Sequence, residues 1–428
     1  MNLPTLTDSR LARRMMLCAL YCAQGMPWGF VTITLVAYVS SQGATLEEVG
    51  DIMALATLPW SFKLVWALVI DRFTYRPMGR RRPWILFAQT AMGITLLAMI
   101  LDGEGSADLQ RLAWMVFLHN CFVSLQDVGT DALAVDVLDD EERGRVNGMM
   151  WASSYVGIAI GGAGMGTVLA HYGVQTAFVL QAAVLLLILC FPLLLRERAG
   201  EKLLPWTRGK AVQAEGERRT TSLRDLARNL AAAFGTSAPK RGVIYALSAQ
   251  VMVGMFVATN PVFYVQELGW SQEAYSQLSG GLGSGAGVLG ALLGGFLVDR
   301  IGVRRIVLIA AILVAALCVS AGLTPWMSTS TNAARAFLMS VEFLISAQSV
   351  ASFSLFMRLS SPAVAGTQFT LYMATINLTR SQSAKIGPLI DGLGYGYGVI
   401  YCVMAAAILA SVPLLFAIPE REAETASA

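Results

Sequence analysis

The chain has 428 residues, of which 55% are hydrophobic and only 14% are charged, and its mean hydropathy is +0.59. Soluble domains carry about a quarter charged residues, so this composition excludes a soluble enzyme. A net charge of +3, from 31 basic and 28 acidic residues, argues against nucleic acid as the main partner. Twelve membrane-spanning helices of about 20 residues need about 240 residues, close to the apolar content of the chain. We therefore predict an all-α membrane protein with twelve transmembrane helices.

Apolar stretches follow one another along the chain as two sets of six. The predicted spans cover 15–39, 47–70, 83–101, 112–136, 147–170, 175–195, 242–266, 272–298, 305–324, 335–359, 366–390 and 397–418. The only long hydrophilic segment, 196–241, lies between the two sets and carries 11 of the Lys and Arg residues. The predicted domains are an N-terminal six-helix half (1–195), a cytoplasmic linker (196–241) and a C-terminal six-helix half (242–428).

The linker contains a sequence pattern of its own. Ser222 to Asp225 resembles a capping box, with Asp in the place of Glu, and an apolar stripe at helical spacing follows it. The stripe consists of Leu223, Leu226, Leu230 and Phe234. This pattern predicts a short amphipathic helix on the membrane surface, which serves either as a plain tether or in coupling or regulation.

Basic residues are distributed unequally between the two ends of the predicted spans. Of the 31 Lys and Arg residues, 26 lie on the side of the N-terminus, 2 on the opposite side and 3 within spans. Connections rich in Lys and Arg stay in the cytoplasm. Both termini and the linker are therefore predicted to be cytoplasmic, in a bacterial-type inner membrane.

Cysteine and histidine give no sign of a metal site or of a disulfide framework. All six cysteines fall inside apolar stretches, and His119 and His171 stand alone in the sequence. Metal sites and disulfide frameworks place such residues at ligand spacing in polar segments. We expect no metal, no cofactor and no enzymatic activity, and a monomeric chain in the lipid bilayer.

An acidic–basic motif occurs once in each half. Asp71-Arg72 ends the second span and Asp299-Arg300 ends the eighth, 228 residues later. Each pair is followed by a glycine and arginines, which are Gly79, Arg80 and Arg81 in the first half and Gly302, Arg304 and Arg305 in the second. Repeated halves with a solute path between them are typical of secondary transporters.

The first copy of this motif resembles the loop signature of a known family. Ala67, Asp71, Arg72, Gly79, Arg80 and Arg81 are similar to the signature between the second and third helices of the major facilitator superfamily. Within that superfamily, the run from Phe62 to Arg82 resembles AmpG-type muropeptide permeases and the related acetyl-coenzyme A transporters. Three further stretches resemble the same branch: 25–27, 126–131, and 365–369 with Arg380 and Gly387-Pro388.

The resemblance implies a transporter that works by alternating access and imports a bulky anionic solute together with protons. A muropeptide is the leading solute, and a siderophore or an acyl-coenzyme A ester is the alternative within the branch. A membrane assembly factor that uses this fold without transport is a further alternative. The signature loop implies a gate, or latch, formed by Asp71, Arg72, Gly79, Arg80, Arg81 and Asp136, with Asp299 and Arg300 in the second half.

Ionisable groups at membrane depth are costly, so each of them is a functional candidate. Asn120, Asp127 and Asp131 are spaced by seven and four residues in the fourth span, which places them on one stripe of a helix. A carboxylate partly shielded from water suits proton exchange, so Asp127 is the predicted proton-coupling group and Asp131 the second candidate. Alternatively, Asp131 or Asp136 is the acidic partner of the loop arginines. Asn120 is also a candidate for solute binding.

Two basic residues at membrane depth are candidates for binding the solute. Lys63 lies at the depth of Asp127 and is predicted to pair with it, or else to extend toward the inner surface. Arg380 has no obvious acidic partner at its depth in the sequence. Its planar guanidinium suits a carboxylate or phosphate of the solute, and Asn377, one turn earlier, is placed to add a hydrogen bond.

The tenth and eleventh spans carry a further pair of opposite charges. Glu342 lies about seven residues from the outer end of its span, and Lys385 lies about five residues from the outer end of its own. Two opposite charges at one depth can neutralise each other. An ion pair between Glu342 and Lys385 is therefore predicted.

Overall fold

The computed structural model describes residues 4–102, 108–211, 228, 231–361 and 365–419. Within these ranges the secondary structure is helical and contains no strand. Long helices follow one another at the positions that the apolar pattern predicts. The predicted amphipathic helix of the linker falls almost entirely outside the described residues, and it stays a prediction.

Six long helices precede the linker. They are α1 (Arg10–Ser41), α2 (Leu46–Arg72), α3 (Arg82–Asp102), α4 (Leu109–Val137), and the consecutive helices α5 and α6. α5 begins at Asp140 and α6 ends at Leu194. Gly173 separates the two, because its φ of 82° and ψ of 167° lie outside the helical region.

Six long helices follow the linker. They are α7 (Ser237–Glu267), α8 (Gln272–Ile301), α9 (Val303–Leu323), α10 (Thr331–Leu359), α11 (Ala365–Ser383, continued as Ile386–Gly392) and α12 (Tyr397–Phe416). α7 is interrupted at Gln250, where the backbone leaves the helical region with φ −112° and ψ 4°. This interruption lies inside a predicted span.

Nine helices in the described ranges are long and apolar enough to cross a membrane by composition alone. One of them is the 50-residue run Arg145–Leu194, which contains the break at Gly173 and therefore provides two spans. α4 and α11 are more polar and fall below the hydropathy that such a test requires. The residues that make α4 polar include the acids predicted to carry function.

Capping side chains determine where several helices begin. Thr45 Oγ1 accepts a hydrogen bond from the Glu48 amide at the start of α2 (3.2 Å), and the Glu48 carboxylate accepts one from the Thr45 amide (2.8 Å). Ser9 and Asp108 accept backbone amides in the first turns of α1 and α4. These bonds satisfy amides that have no partner inside the helix.

The described chain divides into two compact units. Unit one comprises residues 1–34 and 65–220, and unit two comprises residues 35–64 and 221–428, as far as they are described. Unit two thus includes the end of α1 and most of α2, although these segments belong to the first half of the sequence. The domain boundaries 1–195, 196–241 and 242–428 stay a prediction.

In unit one, α1 packs against α5 through glycines that allow the two backbones to come close. A Cβ at Gly25 would overlap the backbone of Ser154, and a Cβ at Gly157 would overlap the carbonyl of Cys22. Thr34 adds a hydrogen bond from its Oγ1 to the carbonyl of Gly161 (2.9 Å). Small residues at helix interfaces are a common way to pack membrane helices.

In unit two, α8 packs against α10 by the same means. A Cβ at Gly290 would overlap the backbone of Phe343, and a Cβ at Gly294 would lie 2.7 Å from the Ala347 Cα. An aromatic cluster fills the interior nearby, where the rings of Phe356 and Tyr372 stack with their centroids 4.8 Å apart. The glycine-rich runs of both halves therefore serve helix packing.

We expect Gly157→Ala to destabilise the protein, because the added methyl group forces α1 away from α5, at a cost of about 1–3 kcal/mol. Gly148→Ala is the matched control in the same helix, since a Cβ there meets no atom within 4 Å. Replacing an unhindered helical glycine by alanine stabilises a helix by about 0.5–1 kcal/mol. Thermal unfolding in detergent measures both variants, and equal midpoints would contradict the packing assignment.

Candidate functional site

The acids of α4 lie against α1 in unit one. Asp127 is 2% exposed and Asp131 is half-buried. Tyr21 of α1 donates a hydrogen bond from its hydroxyl to Asp131 Oδ1 and also interacts electrostatically with Asp127. The structure therefore joins both predicted proton-coupling candidates through one tyrosine. The sequence does not indicate a functional role for Tyr21. The only general expectation is that a buried tyrosine hydroxyl has a hydrogen-bond partner.

The other polar residues of this part of α4 are also buried. Asn120 lies on the stripe of Asp127 and is 1% exposed. Gln126 donates from its side-chain amide to the carbonyl of Leu20 (3.0 Å) and to Thr130 Oγ1 (3.3 Å). Gln126 thus fixes α4 to the backbone of α1. The carboxyl group of Asp127 is held beside Tyr21 by this contact between the two helices.

The loop between α2 and α3 carries an ion cluster. Asp71 lies 3.1 Å from Arg80 and 2.6 Å from Arg81, while Arg81 also contacts Asp136 at the end of α4 (2.8 Å). Of the two acids left open by the sequence, Asp136 is the partner of the loop arginines and Asp131 is the partner of Tyr21. Below, the term loop cluster denotes Asp71, Arg81 and Asp136.

The two copies of the motif differ in structure. In the first copy Arg72 is exposed, and Gly79 has a φ of 103°, which favours glycine. In the second copy Asp299 and Arg300 are both exposed, and the Arg300 guanidinium lies 4.4 Å from the centre of the Phe296 ring. The sequence repeat therefore does not produce a second loop cluster among the described residues.

A second polar cluster occupies the interior of unit two. Arg380 of α11 donates from Nη2 to Gln250 Oε1 (2.8 Å), at the interruption of α7. Glu342 of α10 interacts electrostatically with Arg380 and with Tyr275 of α8. Asn377 lies half-buried one turn before Arg380. The guanidinium of Arg380 thus has an amide of α7 as its hydrogen-bond partner and an acidic group of α10 as its charged neighbour.

The predicted ion pair between Glu342 and Lys385 is wrong. Lys385 instead pairs with Asp51 of α2 (2.7 Å), and Glu342 has Arg380 as its charged neighbour. The expectation that Arg380 has no acidic neighbour is wrong for the same reason. A similar position along two spans does not determine which helix faces which.

The Lys385–Asp51 pair belongs to a larger contact of α2 with α11 inside unit two. Ser381 donates from Oγ to the carbonyl of Ala54 (2.6 Å), and Gly50 leaves no room for a side chain beside Pro388. Lys63 is half-buried and belongs to the same unit, whereas Asp127 belongs to unit one. The predicted pairing of Lys63 with Asp127 stays a prediction.

Within the described ranges, no three His, Cys, Asp or Glu side chains are grouped to hold a metal ion. The polar groups instead form two clusters, one of two acids with a tyrosine and one of a guanidinium with an amide. Apolar spans that bury such groups at membrane depth define a polytopic membrane transporter.

Comparison with known proteins places this transporter in a family. The family model described as Major Facilitator Superfamily matches residues 17–384. The chain therefore belongs to the major facilitator superfamily, and it is a multi-pass membrane transporter rather than an enzyme.

Relatives agree with this assignment. The anhydromuropeptide permease of Escherichia coli (strain K12) is 27% identical over 415 residues, which cover 94% of this chain and 79% of the relative. The AmpG-like resemblance predicted from the loop signature is thereby confirmed.

Solved structures confirm the twelve-helix fold. The crystal structure of the nucleoside transporter NupG matches with a TM-score of 0.71 at 12% identity, covering 95% of this chain and 98% of that one. The crystal structure of a D-xylose-proton symporter matches with a TM-score of 0.71 at 14% identity, covering 96% and 99%. At these identities the likeness concerns the fold alone.

The loop cluster predicts non-additive effects on stability. Asp71→Asn should cost at most about 1 kcal/mol, because Asp71 is half-exposed. Asp136→Asn should cost about 1–3 kcal/mol, because it is more buried. The double variant leaves the buried guanidinium of Arg81 without a carboxylate, so its loss should exceed the sum by about 1 kcal/mol.

Denaturant unfolding of the purified protein measures these three variants. Asp299→Asn is the control, because Asp299 is the exposed counterpart of Asp71 in the second half. Its stability should equal that of the parent. If the double variant loses only the sum of the stability lost in Asp71→Asn and in Asp136→Asn, the two acids do not share Arg81.

Proposed function

We propose that this protein imports a bulky anionic solute, most specifically a muropeptide, together with protons by alternating access. The observation that carries the choice of solute is the similarity to an anhydromuropeptide permease over 94% of the chain. Both termini are assigned to the cytoplasm on the unequal distribution of Lys and Arg. The solute and protons are the partners, and the chain acts as a monomer in the inner membrane.

Arg380 is assigned to the anionic group of the solute. A guanidinium presents two parallel N–H groups to a carboxylate, and Arg380 is oriented by Gln250 at 2.8 Å. Muropeptides carry carboxylates on their peptide part, so an arginine at membrane depth suits them. Asn377, Asn120 and Lys63 are assigned as additional polar contacts for the solute.

Asp127 is assigned to proton coupling, with Asp131 as the second candidate. Asp127 is 2% exposed, so its surroundings are the side chains of the protein rather than bulk water. A change in those groups during the transport cycle therefore binds or releases a proton. Tyr21 supports this role, since its hydroxyl lies beside both carboxylates.

The loop cluster, together with Arg72, Gly79 and Arg80, is assigned as a latch. Ion pairs that exist in one conformation and break in another bias the equilibrium between the two conformations. Asp299 and Arg300 are assigned to the same role in the second half. Their exposure in this structure is compatible with pairs that form only in another conformation.

The choice of solute is tested by uptake into membrane vesicles that contain the purified protein. Labelled muropeptide should accumulate when the vesicle interior is alkaline, and a protonophore should abolish the accumulation. Labelled siderophore and acyl-coenzyme A serve as comparison solutes. Accumulation of either comparison solute in place of the muropeptide would contradict the assignment, and no uptake of any of them would favour an assembly factor.

Asp127→Asn should abolish accumulation but preserve exchange of labelled for unlabelled solute. The amide keeps the size of the side chain but cannot bind or release a proton, and exchange requires only that the loaded carrier reorients. Asp127→Glu should retain part of the accumulation. Asp391→Asn, at an exposed aspartate of α11, is the control and should behave as the parent.

Parallel loss of exchange and accumulation in Asp127→Asn would instead place Asp127 in the latch. Full accumulation by a correctly inserted Asp127→Asn protein would refute the coupling role, and Asp131 would take its place.

A further inference from the structure

The segment after α6 binds the backbone of the loop between α2 and α3. The carboxylate of Glu197 accepts hydrogen bonds from three consecutive backbone amides, those of Arg80 (2.9 Å), Arg81 (2.7 Å) and Arg82 (2.6 Å). Glu197 is 1% exposed. Consecutive amides that converge on one anion form a strong, charge-assisted site.

Gly79 makes room for this carboxylate. A Cβ at Gly79 would lie 2.5 Å from Cδ of Glu197, and the φ of Gly79 is 103°. Glycine is thus required here both for its backbone conformation and for the close approach of Glu197. The glycine of the loop signature and the glutamate after α6 form one structural unit.

Arg82 strengthens the same connection from the other side. Its guanidinium is fully buried and donates to the carbonyls of Leu193 at the end of α6 (3.1 Å) and of Lys202 (3.1 Å) and Leu203 (2.5 Å) beyond it. The Lys202 amide in turn donates to the carbonyl of Pro77 in the loop (2.7 Å). The segment 196–203 is therefore bonded to the loop at several points.

We propose that Glu197 is a positioning residue for the loop cluster. By holding the amides of residues 80–82, Glu197 sets the backbone from which Arg81 reaches both Asp71 and Asp136. Because Glu197 follows α6 directly, any movement at the start of the linker is transmitted to these ion pairs. The expected effect of Glu197 on transport rests on the latch role proposed above, whereas its effect on the position of the loop does not depend on that role.

Glu201 is 1% exposed, accepts a hydrogen bond from the Arg198 amide (3.0 Å) and interacts with Glu197, and this placement makes the connection sensitive to pH. Burial, together with the charge of Glu197, raises the pKa of Glu201 to about 7. Arg198 and Arg82 are the positive charges that oppose this shift. Because the folded protein holds the proton more tightly than the unfolded chain, the contribution of Glu201 to stability is lost as the pH rises through about 7. Ionised Glu201 then repels Glu197, and the loop is held less firmly.

Trypsin digestion of the full-length protein in detergent tests the inference without any solute. Glu197→Gln should increase cleavage after Arg80 and Arg81 about tenfold, because an amide group places an N–H against backbone donors and loses the charge-assisted bonds. Cleavage after the exposed Arg72 is the internal reference and should not change. Glu197→Asp keeps the charge and should restore part of the protection.

Two controls separate positioning from general damage. Glu47→Gln alters an exposed glutamate of α2 and should leave cleavage after Arg80 and Arg81 unchanged. Measured relative to cleavage after Arg72, cleavage after Arg80 and Arg81 in the parent should rise between about pH 6 and about pH 8, and this rise should disappear in Glu201→Gln. Solute exchange should fall about tenfold in Glu197→Gln and recover in part in Glu197→Asp.

If Glu197→Gln is cleaved after Arg80 and Arg81 as slowly as the parent, the inference is overturned. It is also overturned if Glu197→Gln exchanges solute at the parental rate although its loop is cleaved faster. A parent that transports no muropeptide would overturn the proposed solute instead, and the cleavage result would still stand.

Discussion

A charge that leaves water needs compensation, and this constraint organises the polar residues of the chain. An isolated buried charge costs several kcal/mol, a large part of the stability of a folded domain. Three buried groups and the half-buried Arg380 show four kinds of compensation. Arg81 lies between two carboxylates, Arg82 is bonded to backbone carbonyls, Arg380 to a side-chain amide, and Glu197 to three backbone amides. Each solution joins segments that are far apart in the sequence.

α4 connects two of these environments. Asp127 at membrane depth and Asp136 in the loop cluster lie nine residues apart on one unbroken helix, about 13 Å at 1.5 Å per residue. A helix transmits displacement along its length because its backbone hydrogen bonds make it stiff. In the proposed function, a change of charge at Asp127 that shifts α4 therefore also changes the contact of Asp136 with Arg81. Proton binding and the latch would then share a mechanical element.

The two units use the repeated sequence differently. Unit one places acids on α4 beside Tyr21 and builds the loop cluster, whereas unit two places Arg380 with Gln250 and Glu342 in its interior. An acid with a hydroxyl partner suits proton exchange, and a guanidinium suits an anion. The proposed assignment of proton coupling to Asp127 and of the anionic group to Arg380 follows from this difference in chemistry.

Local properties of the sequence were enough to predict the helices, their order and the acids of α4, because hydropathy and helical period depend on residues close together in the chain. The partners of the charged residues were decided only by tertiary structure. Tyr21 meets Asp131, and Lys385 meets Asp51 rather than Glu342, because the neighbour of a helix face depends on how distant helices pack. The periodicity of the sequence indicates that one face of a helix is polar, but only the packing of the helices determines which two polar faces meet.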